Sequence, residues 1–154
     1  MFEHVGPQNY DEFFKHLDRL MAKDGNALIH TIGFASGNNL TSPWITKYIF
    51  PGGHIPSLSE ITPHFEATDL NISDIEVWRL HYAETLKHWH DRFFAQKEKV
   101  EDLYDDAFVR MWRYYLKASE LTFRDGRQVV FQLQFTRALD GVPITRDYLH
   151  TTDT

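Results

Sequence analysis

Three features of the sequence predict a layered α/β fold. The run ALIHTIG at 27–33 is apolar and β-favouring, is entered through the turn residues Asp24, Gly25 and Asn26 and leaves at Gly33, which suits a buried strand of a parallel sheet. Segments whose apolar residues recur every three or four positions stand on both sides of it, so strands and helices alternate. Near the end, Val129, Phe131, Leu133 and Phe135 alternate with Gln132 and Gln134 across 128–136. That is the pattern of a half-buried strand, expected to be antiparallel and near a sheet edge.

Taken in order, residues 1–5 read as the tail of a strand. Asn9 and Glu12 give a capping signal, and Phe13, Phe14, Leu17, Leu20 and Met21 carry a helix over 10–22 that Asp24-Gly25 ends. Strand, helix, strand implies a right-handed parallel crossover. A polar Gly/Asn loop fills 34–41. Ser42 then caps a short helix with Pro43 at its first position and an apolar face of Trp44, Ile45, Tyr48 and Ile49. Pro51-Gly52-Gly53 closes it. Ser57 and Glu60 form a capping box for a helix to about residue 65, bent or shortened by Pro63. Ile75 and Val77 alternate with Asp74 and Glu76, marking a strand over 72–80. Tyr82, Leu86, Trp89 and Phe93 stripe a helix over 81–97, which turns Tyr82 inward. A longer helix over 105–124 is expected to bury Phe108, Met111, Trp112, Tyr115 and Thr122, with Asp125-Gly126 turning it into the last strand. A polar tail follows from residue 138.

Composition bounds the function. With 154 residues, 42% hydrophobic and 15% aromatic, the chain is expected to build one domain with a real core. It has no Cys, hence neither disulfide nor thiolate metal site. No apolar run approaches the roughly 18 residues that span a bilayer, and the N-terminus lacks signal-peptide regions, so a cytoplasmic location is expected. A net charge of −6 argues against nucleic acid. It does not favour an anionic membrane surface either, although basic patches can exist within an acidic total. His88 and His90 lie two apart on a helix and point to different faces, so no metal is expected there. His4, His16 and His54 are expected at the surface. HExxH, GxSxG and GxGxxG patterns are absent, so the glycine turn of a nucleotide-type cofactor is not in this chain. The aromatic load in YIF, HYAETLKHWHDRFF and VRMWRYYL fits either a core or a cavity whose ring faces stabilise a cation.

His30 is the residue that does not fit its strand. A buried imidazole without a partner costs roughly 1–3 kcal/mol. It is expected to bond a backbone carbonyl, as core histidines do, or to meet Glu3 and Tyr82. Open parallel sheets place ligands beyond the carboxyl ends of their strands. Glu3, His30 and Tyr82 fall at or just after three such ends, so they are expected to converge on one rim as a site.

MFEHVGPQNY, ALIHTIG, PWITKYIFPGGHIPSLSEI, WRLHYAETLKHW, RMWRYYL and VVFQLQFTR, in that order, resemble the cyclopropane-fatty-acyl-phospholipid synthases and their mycolic-acid relatives, which are S-adenosylmethionine-dependent methyltransferases. The resemblance runs over 1–145, leaving a tail at 146–154. It covers only the C-terminal part of that family, whose first strands, glycine-rich cofactor loop and active-site cysteine have no counterpart here. It implies the C-terminal portion of a Rossmann-like class I methyltransferase sheet with added helices over a lipid pocket. The implied activity moves the methyl carbon of S-adenosylmethionine onto the cis double bond of a phospholipid acyl chain, by a protein peripheral to the inner face of the membrane. Glu3, His30 and Tyr82, with the backbone near Ile32, match the family residues that hold a bicarbonate ion, the base that takes the proton lost before the ring closes. The chain reads as a fragment, inactive alone, with an N-terminal half on a separate chain as one way to complete it. The alternatives are a relative that methylates an amine or makes a methyl-branched lipid, and a non-catalytic lipid-binding or interaction piece.

Overall fold

The computed structural model describes residues 1–37 and 41–150. The middle of the predicted 34–41 loop and the last residues of the predicted tail lie outside the described residues. Strands β1 (Asn26–Phe34), β2 (Asn71–Trp78) and β3 (Gln128–Thr136) form one sheet, with helices α1 (Tyr10–Leu20), α2 (Pro43–Tyr48), α3 (Leu58–Glu66), α4 (His81–Phe94), α5 (Lys97–Leu103) and α6 (Asp106–Arg124) around it. The strand order is β1-β3-β2, and both pairings are antiparallel.

The expected parallel arrangement is therefore overturned. The ALIHTIG strand exists, but it pairs residue by residue with β3, Ile29 opposite Leu133 and Thr31 opposite Phe131. Nor is β3 an edge. It carries the most apolar set, with Val130, Phe131, Leu133 and Phe135 all at most 2% exposed, and burying that set on both faces requires the central place. Residues 1–5 are not a strand either: Phe2–His4 form a 3-10 turn. Phe2 inserts into the core, its ring stacked on Tyr10 at 4.7 Å, and Gly6 at φ 78° redirects the chain into α1, so no crossover forms.

Each sheet face supports its own core. On one side α1 and α3 pack Phe14, Ile61 and Phe65 against Ile29, Phe131, Leu133 and Phe135. On the other, α4 and α6 pack Ala83, Leu86, Tyr115, Leu116 and Phe123 against Val130. Gly33 leaves room for the Phe131 ring, because a Cβ there would sit 2.3 Å from it. The stripe expected on α4 holds at Leu86, which is buried, and at Tyr82 and Phe93, which pack against the core, but Trp89 is exposed and Ala83 is buried as well. On α6 Tyr115 is buried as expected, and Leu116 and Phe123 do more of the work than Phe108 or Met111. The helix predicted over 81–97 ends at Phe94, and α5 is an additional element.

Local capping chemistry is realised at α3. The Glu60 carboxylate accepts from the Ser57 backbone N–H at 2.7 Å and from its hydroxyl at 2.8 Å. Ser57→Ala is expected to cost about 1 kcal/mol in urea unfolding. Asn9 precedes α1 but donates to the Val5 carbonyl instead of capping the helix. The tail is pinned across β2 and β3. Arg146 Nε lies 2.6 Å from the Asp74 carboxylate, and the Tyr148 hydroxyl donates to Gln134 Oε1 at 2.8 Å. Among the described residues no helix is long and apolar enough to cross a membrane.

Candidate active site

Glu3 leaves the N-terminal turn pointing at the far end of β1. Its Oε1 accepts from the Ile32 N–H at 2.6 Å and from the Thr31 hydroxyl at 3.0 Å. The Met1 amino group donates to Oε2 at 2.9 Å. Burial pushes the Glu3 carboxyl up, but the hydrogen bonds from Met1 and Ile32 outweigh it and hold it below the ordinary carboxylate value. It is an anion at neutral pH.

His30 is exposed, not buried. Alternation along β1 turns Ile29 and Thr31 into one core and leaves His30 on the opposite face with Leu28. Its partner is neither Glu3 nor Tyr82 nor a backbone carbonyl. Nδ1 lies 3.1 Å from Gln132 Oε1, directly across the ladder, and an amide oxygen only accepts, so Nδ1 carries the proton. The backbone groups of Ile32 are also engaged, its N–H with Glu3 and its carbonyl with the Thr31 hydroxyl.

Tyr82 opens α4, half-buried against the Phe123 ring at 5.0 Å and the Trp89 ring at 5.7 Å. Burial, and then the charge of Glu3, push its hydroxyl pKa up. Among the described residues that hydroxyl has no hydrogen bond. Tyr115, deeper in the same cluster, is pushed up to about 12 by burial and by Tyr82.

The three side chains line one cavity of about 280 Å³, together with His4, His54 and Ile55. Sequence reasoning had put His54 at the surface. Instead its Nε2–H donates to Glu60 Oε1 at 3.0 Å and its backbone N–H donates to the Glu3 carbonyl at 2.9 Å. The six-residue spacing to Glu60 across a turn gave no helical or strand period that could reveal this.

A second cavity, about 310 Å³, lies behind the first and is walled by Trp44, Leu86, Tyr114, Tyr115, Ala118 and Phe123. The two have Ile32, Thr41, Ile45, Phe50, Ile55 and Tyr82 in common. Within the aromatic stretches Tyr115 is buried in the core, and Tyr82 and Tyr114 line a cavity. The chemistry available is an apolar sleeve that ends on a carboxylate, an imidazole and a phenol.

Known proteins share this sequence and fold. The sequence profile described as mycolic acid cyclopropane synthetase matches residues 1–133. The cyclopropane-fatty-acyl-phospholipid synthase of Escherichia coli K12 is 38% identical over 151 residues, covering 95% of this chain and 38% of that protein. The tuberculostearic acid methyltransferase UfaA1 of Mycobacterium tuberculosis is also 38% identical, over 149 residues, covering 93% of this chain and 34% of that one. Among solved structures, mycolic acid cyclopropane synthase CmaA1 complexed with SAH and CTAB superimposes with a TM-score of 0.78 at 29% identity, over 87% of this chain and 52% of that one. The chain therefore spans well under half the length of these two curated relatives. Its small antiparallel sheet and helices are those of the cyclopropane synthase fold, and the chain belongs to the mycolic acid cyclopropane synthetase family of S-adenosylmethionine-dependent methyltransferases.

Proposed function

We propose that this chain is the part of a cyclopropane-fatty-acyl-phospholipid synthase that holds the acyl chain and a small anionic base. The observation that carries the reading is the pair of adjoining cavities, one apolar and one ending on Glu3, His30 and Tyr82. An acyl chain fills the apolar sleeve, and the double bond stops beside the polar end.

S-adenosylmethionine supplies an electrophilic methyl carbon when bound, and its glycine turn is not among these residues. Transfer of that carbon to the alkene would break its bond to sulfur, release the neutral thioether and leave on the acyl chain a carbocation that loses a proton as the ring closes. The ring faces of Phe50, Tyr82 and Tyr115 suit the developing positive charge. A bicarbonate fits the polar end. Tyr82 offers a hydroxyl donor without an acceptor among the described residues, and His30 keeps Nε2 free because Gln132 takes only Nδ1. Such an ion supplies a base next to the alkene. His30 donates to it from Nε2 only as the imidazolium, and the ionised Glu3 accepts the O–H of the bicarbonate, since two anions side by side repel unless a proton lies between them. Ile32 acts on this end through Glu3.

Oleate is expected to bind the full 154-residue chain in calorimetry, and Ala118→Trp, which fills the sleeve, is expected to weaken it at least about tenfold. No heat with oleate overturns the acyl assignment. S-adenosylmethionine is expected to show no binding to the chain alone; micromolar binding places the cofactor site within it.

A second product is favoured by one finding, the 38% identity to a tuberculostearic acid methyltransferase, equal to that with the E. coli synthase. A methyl branch and a ring differ in hydrogen count, so mass spectrometry of the lipid product separates them.

A further inference from the structure

A row of polar side chains crosses the sheet and ends at the candidate site. The register sets His30 of β1 opposite Gln132 of β3, and Gln132 opposite Glu76 of β2. Directly paired positions share a face, so the imidazole, the amide and the carboxylate stand side by side. His30 lines the polar cavity. Gln132 and Glu76 line a different one, of about 240 Å³, together with Gln134 and Asp74. Arg146 closes that far side, with Nε 2.6 Å from the Asp74 carboxylate and Nη2 3.9 Å from Glu76.

An amide can turn its oxygen or its NH2 group toward a neighbour, and the surroundings choose. Gln132 Oε1 lies 3.1 Å from His30 Nδ1. On its other flank stands the Glu76 carboxylate, which only accepts, so the reversed amide would bring two acceptors face to face. The oxygen therefore belongs on the His30 side, and Nδ1 must donate to it. The Trp78 ring meets the imidazole edge-on at 5.9 Å and 79°, which sets the plane of the ring. With Nδ1–H engaged, every proton that the imidazole gains or loses is exchanged at Nε2.

We infer that Gln132, backed by Glu76, is a positioning residue: it keeps the Nδ1 proton of His30 in place, so that the ring meets the cavity ion through Nε2 alone. The inference rests on the anion reading of the cavity and adds what orients one of its donors. Neither Gln132 nor Glu76 lines that cavity, so both act through His30. Without an acceptor beside Nδ1, a neutral imidazole divides its proton between the two nitrogens, and the hydrogen bond of the other nitrogen decides the tautomer. A ring with a bare Nδ1 would also turn a lone pair onto the amide oxygen, which repels it.

The test is NMR of the full 154-residue chain carrying isotope-labelled histidine, at a pH where the imidazoles are neutral, with the His30 signals identified by their loss in His30→Gln. Ring nitrogen shifts distinguish Nδ1–H from Nε2–H directly. The native chain is expected to hold His30 as Nδ1–H. Gln132→Leu is expected to lower the ratio of Nδ1–H to Nε2–H about tenfold, which is what one hydrogen bond ordinarily sustains. Gln132→Glu keeps an acceptor at the same reach and is expected to restore the native ratio, whereas a loosened strand would change both variants alike. Glu76→Leu is expected to lower the ratio about threefold, the usual weight of a cross-strand pair. An Nε2–H ring in the native chain, or an unchanged ratio in Gln132→Leu, overturns the inference, and an unchanged ratio in Glu76→Leu overturns the part given to Glu76. Sodium bicarbonate at neutral pH is expected to shift the Nε2 signal and leave Nδ1 nearly unmoved; equal shifts at both nitrogens overturn the inference. No shift at either nitrogen overturns the anion reading, while the tautomer ratio, measured without the ion, still judges Gln132 by itself.

Discussion

Tyr82→Phe is expected to lower turnover by about 10²–10⁴-fold in an enzyme whose C-terminal part is this chain, the range general acid–base groups ordinarily contribute. S-adenosylmethionine affinity is expected to stay within a few-fold. The substitution removes one oxygen and keeps the ring that packs on Phe123, so the melting temperature is expected to be nearly unchanged. That combination isolates the hydroxyl. Burial and the charge of Glu3 keep the phenol protonated through neutral pH, which makes it a donor to an anion and not a base. His30→Ala is expected to give a loss of similar size. Its ring is exposed and its one bond is to Gln132, so little stability goes with it. Turnover that survives either substitution refutes the site.

The largest expected effect on stability is at Phe135. The ring is fully buried, 5.8 Å from Phe14 of α1 and 5.3 Å from Phe65 of α3, on the central strand. Phe135→Ala opens a cavity that three elements must share, and the expected cost is about 3–5 kcal/mol. Urea unfolding measures it as a lowered midpoint at constant slope. Leu139→Ala, at a site 88% exposed, is expected to stay within about 0.5 kcal/mol.

What the sequence disclosed and what it hid divide by range. The Ser57–Glu60 box was legible because three residues of local spacing contain the whole interaction. The bounds of β3 were legible because alternation is written within the strand itself. Its central position was not, since that depends on which strands flank it, one about a hundred residues away. Residues 1–5 offered an apolar rhythm that suits a strand, and the deciding fact was tertiary, the stacking of Phe2 on Tyr10. His30 was identified as unusual within its strand, but its face was misjudged, because a shift of one residue exchanges core for surface. That Glu3, His30 and Tyr82 line one cavity was expected from the resemblance and from strand ends, though the parallel sheet invoked for it is absent. His54 went unrecognised because its partners lie across turns.

Glu3 has one more consequence. The oxygen that binds Thr31 and Ile32 fastens the N-terminal turn to the first strand, so the same carboxylate that faces the proposed chemistry also ties the chamber wall together. A single side chain that serves as rivet and reagent resists retuning: a change that alters its acidity also loosens the wall. Engineering a new lipid preference into this scaffold therefore has its freedom at Ile55 and Ala118, which line the space outside both core clusters.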